Sequence, residues 1–134
     1  MKVTRRYRFS ASHRLHSAAL SDSVNDTTYG KCNNPFGHGH NYVLEVTVEG
    51  PVDAVTGRVA DLPSLDGLVQ KEVLARYDHR NLNEEVPELA GTVPTTEVVS
   101  AAIYQRLKQT LPSLDRVRIW ETRNNIFEVS KEHE

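Results

Sequence analysis

The chain is poor in the residues that build cross-links and membrane segments. Among its 134 residues there is one cysteine, Cys32, so no disulfide can form within the chain. The longest nearly apolar stretch, residues 98–104, is far shorter than the roughly 20 residues that span a bilayer, and residues 1–6 lack the apolar core of a secretory signal. We therefore expect a protein of the reducing cytoplasm that does not bind membranes.

An excess of positive charge is missing as well. Sixteen basic and eighteen acidic residues give a formal net charge of −2. A nucleic-acid-binding domain usually carries a basic patch or stripe. The composition therefore argues against nucleic acid as a partner. The length fits a single domain over residues 1–134, which is large enough to bury a core.

Two kinds of hydrophobic spacing divide the chain. Alternating apolar residues predict strands in four segments: about residues 2–12, 38–49, 116–122 and 126–129. Helical spacing predicts two helices: about residues 61–76 and 94–110. The polar segment 21–34 is predicted to be a long loop. This ββααββ order predicts an α+β fold in which an antiparallel four-stranded sheet carries both helices on one face.

Three histidines are placed where the predicted sheet would gather them. His38 and His40 are two residues apart on one strand, so their side chains leave the same face. His13 stands at the end of the first strand. It lies beside this pair if the two strands are antiparallel. Three imidazoles without a fourth protein ligand are typical of a catalytic zinc site. If Cys32 supplied the fourth ligand, the site would be a closed structural one, and the spacing leaves both interpretations open.

Cys32 also has interpretations that involve no metal. It lies in a polar loop, where a neighbouring cation can hold a thiol partly as thiolate, so it is a candidate base or nucleophile. A spectator thiol is the simpler alternative. Asp78 and His79 are adjacent in a polar segment after the first helix. They form either a proton relay or a helix end whose histidine interacts with the helix dipole.

Glu121 is an acid on an apolar face. In the predicted strand 116–122 it shares a face with Val117 and Ile119, so its carboxylate would point inward and requires a partner. The partner is either an arginine or a ligand with two adjacent N–H groups, because one carboxylate can accept both.

Longer motifs connect these residues. They are FSASHRL at residues 9–15, GKCNNPFGHGHNY at 30–42, DHRNL at 78–82, PTTE at 94–97 and ETRNN at 121–125. On these motifs, which span nearly the whole chain, it resembles the 6-pyruvoyl-tetrahydropterin synthase family. The resemblance implies the tunnelling fold, in which two trimers stack into a homohexamer.

The resemblance also implies a reaction and a set of site residues. The reaction is a carbon–oxygen lyase step that converts 7,8-dihydroneopterin triphosphate to 6-pyruvoyl-tetrahydropterin and releases triphosphate. The implied residues are zinc ligands His13, His38 and His40, the base Cys32, the relay Asp78 and His79, and the pterin-binding residues Glu121, Thr95 and Thr96.

Two other functions stay open. The 6-carboxytetrahydropterin synthases share the site residues and the substrate, but their cysteine loop is usually shorter than the five residues that separate Cys32 from His38 here. A non-catalytic zinc-binding or pterin-binding protein would keep the scaffold, although it would not need every chemical residue. A free Cys32 thiol favours catalysis, and a metal-bound one favours a structural site.

Overall fold

The sheet is built on the two long strands that the alternation predicts. In the computed structural model, which describes residues 1–133, β1 (Lys2–His13) and β2 (His38–Glu49) are antiparallel. Lys2 is opposite Glu49 and His13 is opposite His38, so the pairing runs over the full length of both strands. Both predicted strands are confirmed.

Over residues 1–133 the sheet has five strands, one more than predicted. β3 (Arg80–Asn81) is parallel to β1, while β4 (Leu114–Trp120) and β5 (Ile126–Ser130) continue the antiparallel part. The spatial order is β3-β1-β2-β4-β5. The prediction of a purely antiparallel four-stranded sheet is therefore wrong in this detail, because a two-residue strand is too short to show an alternation.

Two helical segments pack on the same face of the sheet, as predicted. The first consists of α2 (Leu62–Val69), a π-helical turn (Gln70–Leu74) and α3 (Ala75–Tyr77), and the second is α4 (Thr96–Thr110). Side chains cap both starts: an Asp61 oxygen accepts from the Ser64 N–H at 3.3 Å, and the Thr95 hydroxyl accepts from the Val98 N–H at 3.3 Å. None of the helices in residues 1–133 is long and apolar enough to cross a membrane.

The segment predicted as a long loop is mostly helical, so that prediction is wrong. It contains α1 (Asp22–Tyr29) and a 3₁₀ turn (Gly30–Asn33). The helix is mostly polar, its one aliphatic residue, Val24, is exposed, and polar contacts hold it: the Ser21 hydroxyl caps it, and the fully buried Asn25 side chain bonds the backbone of Ser17. Because α1 has no apolar stripe, hydrophobic spacing could not reveal it. Its serine cap and the following acid were the available signal.

The hydrophobic core lies between the helices and this face of the sheet. Alternate residues of β1, β2 and β4 form its sheet side, among them Leu44 and Ile119, and Val69 and Ile103 belong to its helix side. All four are buried. The core therefore begins directly beyond the strand ends that carry the histidines.

A partly exposed cluster of three side chains joins β1 to α2. Asp66 accepts hydrogen bonds from Arg5 Nε at 3.0 Å, from Arg5 Nη2 at 2.8 Å and from the Tyr7 hydroxyl at 2.7 Å. The bond from Arg5, followed by that from Tyr7, lowers the pKa of Asp66 to about 2. The folded chain therefore favours the ionised carboxylate.

Replacing Asp66 by asparagine tests this link through its pH dependence. A carboxyl pKa below the unfolded value of about 3.9 stabilises the folded state above that pH, and the contribution is lost as the pH falls from about 4 to about 2. We expect the free energy of unfolding in urea to fall more steeply over this window in the parent than in Asp66→Asn. Asp26→Asn removes an exposed carboxylate of α1 and serves as control. Equal pH dependence in all three proteins would contradict the prediction.

Candidate metal centre and active site

β1 and β2 bring the three predicted histidines together at one end of the sheet. The register places His13 opposite His38, and Ala11 opposite His40. All three imidazoles therefore project from the face of the sheet that the helices cover. One potential ligand nitrogen from each ring lies within 4.8 Å of the other two. His13 is buried and the other two are half-buried. The prediction that His13 would lie beside the pair is confirmed.

The turn before β2 allows this strand to begin directly at His38. Gly37 has a φ of +75°, and a Cβ atom there would lie 3.0 Å from the His13 carbonyl oxygen. Glycine adopts this conformation without strain and leaves the space that the carbonyl needs.

Hydrogen bonding fixes the tautomer of His13. Its Nδ1 lies 2.8 Å from the Pro94 carbonyl oxygen, which can only accept, so Nδ1 carries the proton and Nε2 keeps its lone pair. This Nε2 lies 3.1 Å from Nε2 of His38. In a tetrahedral zinc site with Zn–N bonds of about 2.0–2.1 Å, two ligand nitrogens are about 3.3 Å apart. The observed spacing is close to that value.

The remaining ring nitrogens also fit a metal centre. Within residues 1–133, His38 Nδ1 and His40 Nε2 are buried and have no hydrogen-bond partner. Burial lowers the pKa of both His13 and His40, which favours the neutral form that binds metals. His13, His38 and His40 can therefore hold a metal ion, and an all-imidazole donor set suits zinc.

Cys32 lies near the histidines but outside their group. It is half-buried on the 3₁₀ turn, and its carbonyl oxygen accepts from the Leu15 N–H at 2.8 Å. The cluster of potential ligand atoms described above consists of the three imidazoles and does not include the thiol. This geometry favours an open three-histidine site over a closed one with Cys32 as ligand.

Two residues that received no role in the sequence analysis hold the cysteine turn. Arg14 Nε donates to the Asn33 carbonyl oxygen at 3.1 Å. Asn33 Nδ2 in turn donates to the Leu15 carbonyl oxygen at 2.8 Å and lies 2.9 Å from His16 Nδ1. These bonds tie the turn to the segment that follows His13. In the sequence, only the positions of Arg14 and Asn33 directly after His13 and Cys32 indicated a supporting role in the site.

Asp78 and His79 form a pair at the edge of the sheet. Asp78 Oδ1 lies 3.0 Å from His79 Nδ1 and accepts from the Ser10 N–H at 2.9 Å. The His79 N–H donates to the Ser10 carbonyl oxygen at 2.6 Å, which holds His79 at a φ of +60°. The His79 side chain is 81% exposed. Among the residues described, no hydrogen bond or ion pair joins this pair to Cys32.

Glu121 lies one residue beyond β4, not inside a strand as predicted. Burial lowers the pKa of His13 and His40, and the negative charge of Glu121 lies close enough to the two rings to oppose this effect in part. Its Oε2 accepts a hydrogen bond from the buried Thr96 hydroxyl at the start of α4. Within residues 1–133 no arginine forms an ion pair with it. The Thr95 hydroxyl caps α4 and so helps to place Thr96.

Tyr42 packs against His13 and His40, although no motif in the sequence indicated a function for it. Its ring is fully buried, stacks on Phe9 at 4.9 Å between centroids, and meets His40 edge-on at 5.6 Å. Burial raises the pKa of the Tyr42 hydroxyl, the charges of Glu121 and Cys32 raise it further, and the Thr96 hydroxyl lowers it. Cys32, Thr96 and Glu121 therefore all lie close enough to act on this hydroxyl.

Comparison with known proteins assigns the family. A family model described as 6-pyruvoyl tetrahydropterin synthase matches residues 2–132. The chain belongs to the 6-pyruvoyl tetrahydropterin synthase family. The human 6-pyruvoyl tetrahydrobiopterin synthase is 47% identical over 127 residues, which are 93% of this chain and 88% of the human one. The solved structure of Caenorhabditis elegans 6-pyruvoyl tetrahydropterin synthase has a TM-score of 0.93 at 44% identity and covers 97% of this chain and 94% of its own.

A more distant relative bears the name of the alternative product. The putative 6-carboxy-5,6,7,8-tetrahydropterin synthase of Archaeoglobus fulgidus is 33% identical over 94 residues, which are 70% of this chain and 76% of that protein. The resemblance drawn from the sequence motifs is thus confirmed as membership of the 6-pyruvoyl tetrahydropterin synthase family. The individual roles of the site residues stay predictions.

Replacing His38 by alanine tests whether the three histidines form a metal centre. The variant keeps two of the three imidazoles, and we expect it to lose most of its bound zinc because two ligands hold the ion weakly. Zinc per chain is measured by atomic emission after extensive dialysis, with an expected value of about one in the parent. His79→Ala, which removes an exposed imidazole, is the control and should retain zinc. Full zinc occupancy in His38→Ala would contradict the assignment.

Proposed function

We propose that the protein is a zinc-dependent carbon–oxygen lyase that converts 7,8-dihydroneopterin triphosphate to 6-pyruvoyl-5,6,7,8-tetrahydropterin and releases triphosphate. The observation that carries this proposal is the cluster of three imidazoles, with the charge of Glu121 near enough to act on two of them and Cys32 outside the ligand group. The names of the more similar relatives support the pyruvoyl product.

Glu121 is the proposed anchor of the pterin ring. A pterin presents a ring N–H and an exocyclic amine side by side, and the two carboxylate oxygens can accept one hydrogen bond from each. The hydroxyl of Thr96 donates to Oε2 and so restricts the orientation of the carboxylate. With the ring held here, the side chain of the substrate would extend toward the histidines.

The metal ligands and Cys32 are the proposed catalytic groups. Zinc held by His13, His38 and His40 would supply a Lewis acid for the side-chain oxygen atoms of the substrate. Cys32, in its thiolate form, is the proposed base that removes a proton from the adjacent carbon. Its placement outside the ligand group leaves the sulfur lone pairs available for this step.

Asp78 and His79 are the proposed proton relay. Asp78 Oδ1 lies 3.0 Å from Nδ1, where it would favour a proton on Nδ1 and leave Nε2 to exchange a proton. Because the imidazole is exposed at the sheet edge and is not bonded to Cys32, we propose that the pair serves a site shared with a neighbouring subunit of a homohexamer. The exposed edge beside β1 supports this arrangement.

The main alternative is a 6-carboxytetrahydropterin synthase, which would use the same residues. The five-residue separation of Cys32 and His38 and the higher identity to relatives named for the pyruvoyl product favour our proposal. Incubation of the zinc-loaded protein with 7,8-dihydroneopterin triphosphate, followed by mass spectrometry, decides between them. A 6-carboxy product would establish the alternative, and no product would favour a non-catalytic binding protein.

Replacing Cys32 by alanine tests the proposed base in the same assay. We expect zinc content and thermal stability to be retained and turnover to fall at least about 100-fold, as is typical when a general base is removed. Thr28→Ala, an exposed change on the neighbouring helix, is the control and should keep full turnover. Loss of zinc from Cys32→Ala would instead identify Cys32 as a ligand of a closed structural site.

A further inference from the structure

The position of the Cys32 thiol depends on how its turn is docked. Among the hydrogen bonds of residues 1–133, none is made by the Cys32 sulfur atom. The Cys32 carbonyl oxygen, in contrast, accepts from the Leu15 N–H at 2.8 Å. Because the sulfur is only one carbon atom away from the backbone, the groups that dock the turn also determine where the thiol lies.

The next residue, Asn33, docks this turn with both hydrogens of its side-chain amide. Its Nδ2 lies 2.8 Å from the Leu15 carbonyl oxygen and 2.9 Å from His16 Nδ1. The carbonyl oxygen can only accept, so the amide atom beside it is the nitrogen, and His16 Nδ1 accepts the second hydrogen. The Asn33 carbonyl oxygen also accepts from Arg14 Nε at 3.1 Å. Asn33 and these three partners are all half-buried.

The partners of Asn33 are the three residues that directly follow the candidate metal ligand His13. The other end of the same loop is also close to His13, because a Cβ atom on Gly37 would lie 3.0 Å from the His13 carbonyl oxygen. The proposed base and one proposed metal ligand therefore belong to one hydrogen-bonded unit. Asn33 supplies both side-chain hydrogen bonds that close this unit beside Cys32.

We propose that Asn33 is a positioning residue, whose side-chain amide bridges Leu15 and His16 and so holds the Cys32 thiol where it can remove a proton from the substrate. This inference rests on the proposed role of Cys32 as base. Proton transfer requires the base within hydrogen-bonding distance, and a misplacement of about 1 Å costs on the order of 100-fold in rate. Both amide hydrogens of Asn33 are engaged, so Asn33 acts through the turn.

Asn34 offers a matched control at the next position. Its side-chain oxygen accepts from the Phe36 N–H at 3.2 Å, which is a contact within the loop. In the described part of the chain, its exposed side chain makes no hydrogen bond to residues 14–16. Asn34→Ala therefore removes the same amide from the same loop but leaves the bridge intact.

Alkylation without substrate tests the link between Asn33 and the thiol. Because Cys32 is the only cysteine, the rate of its reaction with iodoacetamide reports this thiol alone. At one fixed pH, we expect zinc-loaded Asn33→Ala to react at least about 3-fold faster than the parent, because the loss of the bridge exposes the half-buried thiol more often. Asn34→Ala should react like the parent, and all three proteins should keep their zinc. Equal rates in Asn33→Ala and the parent would overturn the inference, whatever the substrate.

Substitutions of His16 test the bridge from its other side. Asparagine carries an acceptor oxygen two bonds from Cβ, as far as Nδ1 is in histidine, whereas leucine carries none. We expect His16→Leu to speed alkylation and to lower turnover about 3-fold to 10-fold, the usual effect of one neutral hydrogen bond. His16→Asn should stay close to the parent. Equal effects of the two substitutions would contradict a bridge that depends on the acceptor.

Steady-state kinetics with 7,8-dihydroneopterin triphosphate test the purpose of the bridge. We expect Asn33→Ala to lower kcat about 10-fold to 100-fold with KM nearly unchanged, because a displaced base weakens the transition state and not substrate binding. Asn34→Ala should keep the kcat of the parent. An unchanged kcat in Asn33→Ala, or a change in KM alone, would overturn the positioning role. If the parent shows no turnover, the proposed function fails, and the alkylation rates still decide whether Asn33 holds the thiol.

Discussion

The antiparallel register of β1 and β2 is the constraint on which the candidate site depends. It places His13 opposite His38 at the end of the two strands and, on the same face, continues into the buried Tyr42 and Leu44. A slip of β2 by one residue would move both of its histidines to the face of the sheet that the helices do not cover. Its apolar residues would move out of the core as well. The hydrophobic core that stabilises the sheet therefore also fixes the positions of the imidazoles.

The site gathers groups that are unfavourable neighbours in the absence of a ligand. Three imidazoles share a small, partly buried volume, two of their ring nitrogens lack a partner among the residues described, and the charge of Glu121 lies near enough to act on two of the rings. The surrounding fold supports this arrangement through the Pro94 carbonyl oxygen on His13 and the Thr96 hydroxyl on Glu121. Binding of a metal ion to the folded chain would give the unpaired His40 Nε2 a partner and add stability by mass action.

Features with a local signal could be predicted from the sequence, and features created by tertiary contacts could not. Alternation revealed β1 and β2, and with them the meeting of His13 with His38, while helical spacing revealed α2 and α4. The polar α1 and the two-residue β3 carry no hydrophobic period and were missed. The distance between the Asp78–His79 pair and Cys32 depends on how loops cross the sheet edge, and the unsatisfied hydroxyl of Tyr42 is visible only once its neighbours are in place.

X-ray absorption at the zinc edge of the metal-loaded protein tests the central claim most directly. An open site on His13, His38 and His40 predicts about three imidazole nitrogens at about 2.0–2.1 Å, one further light ligand and no sulfur neighbour. A sulfur atom at about 2.3 Å would show that Cys32 binds the metal. That result would contradict both the open centre and the use of Cys32 as a base.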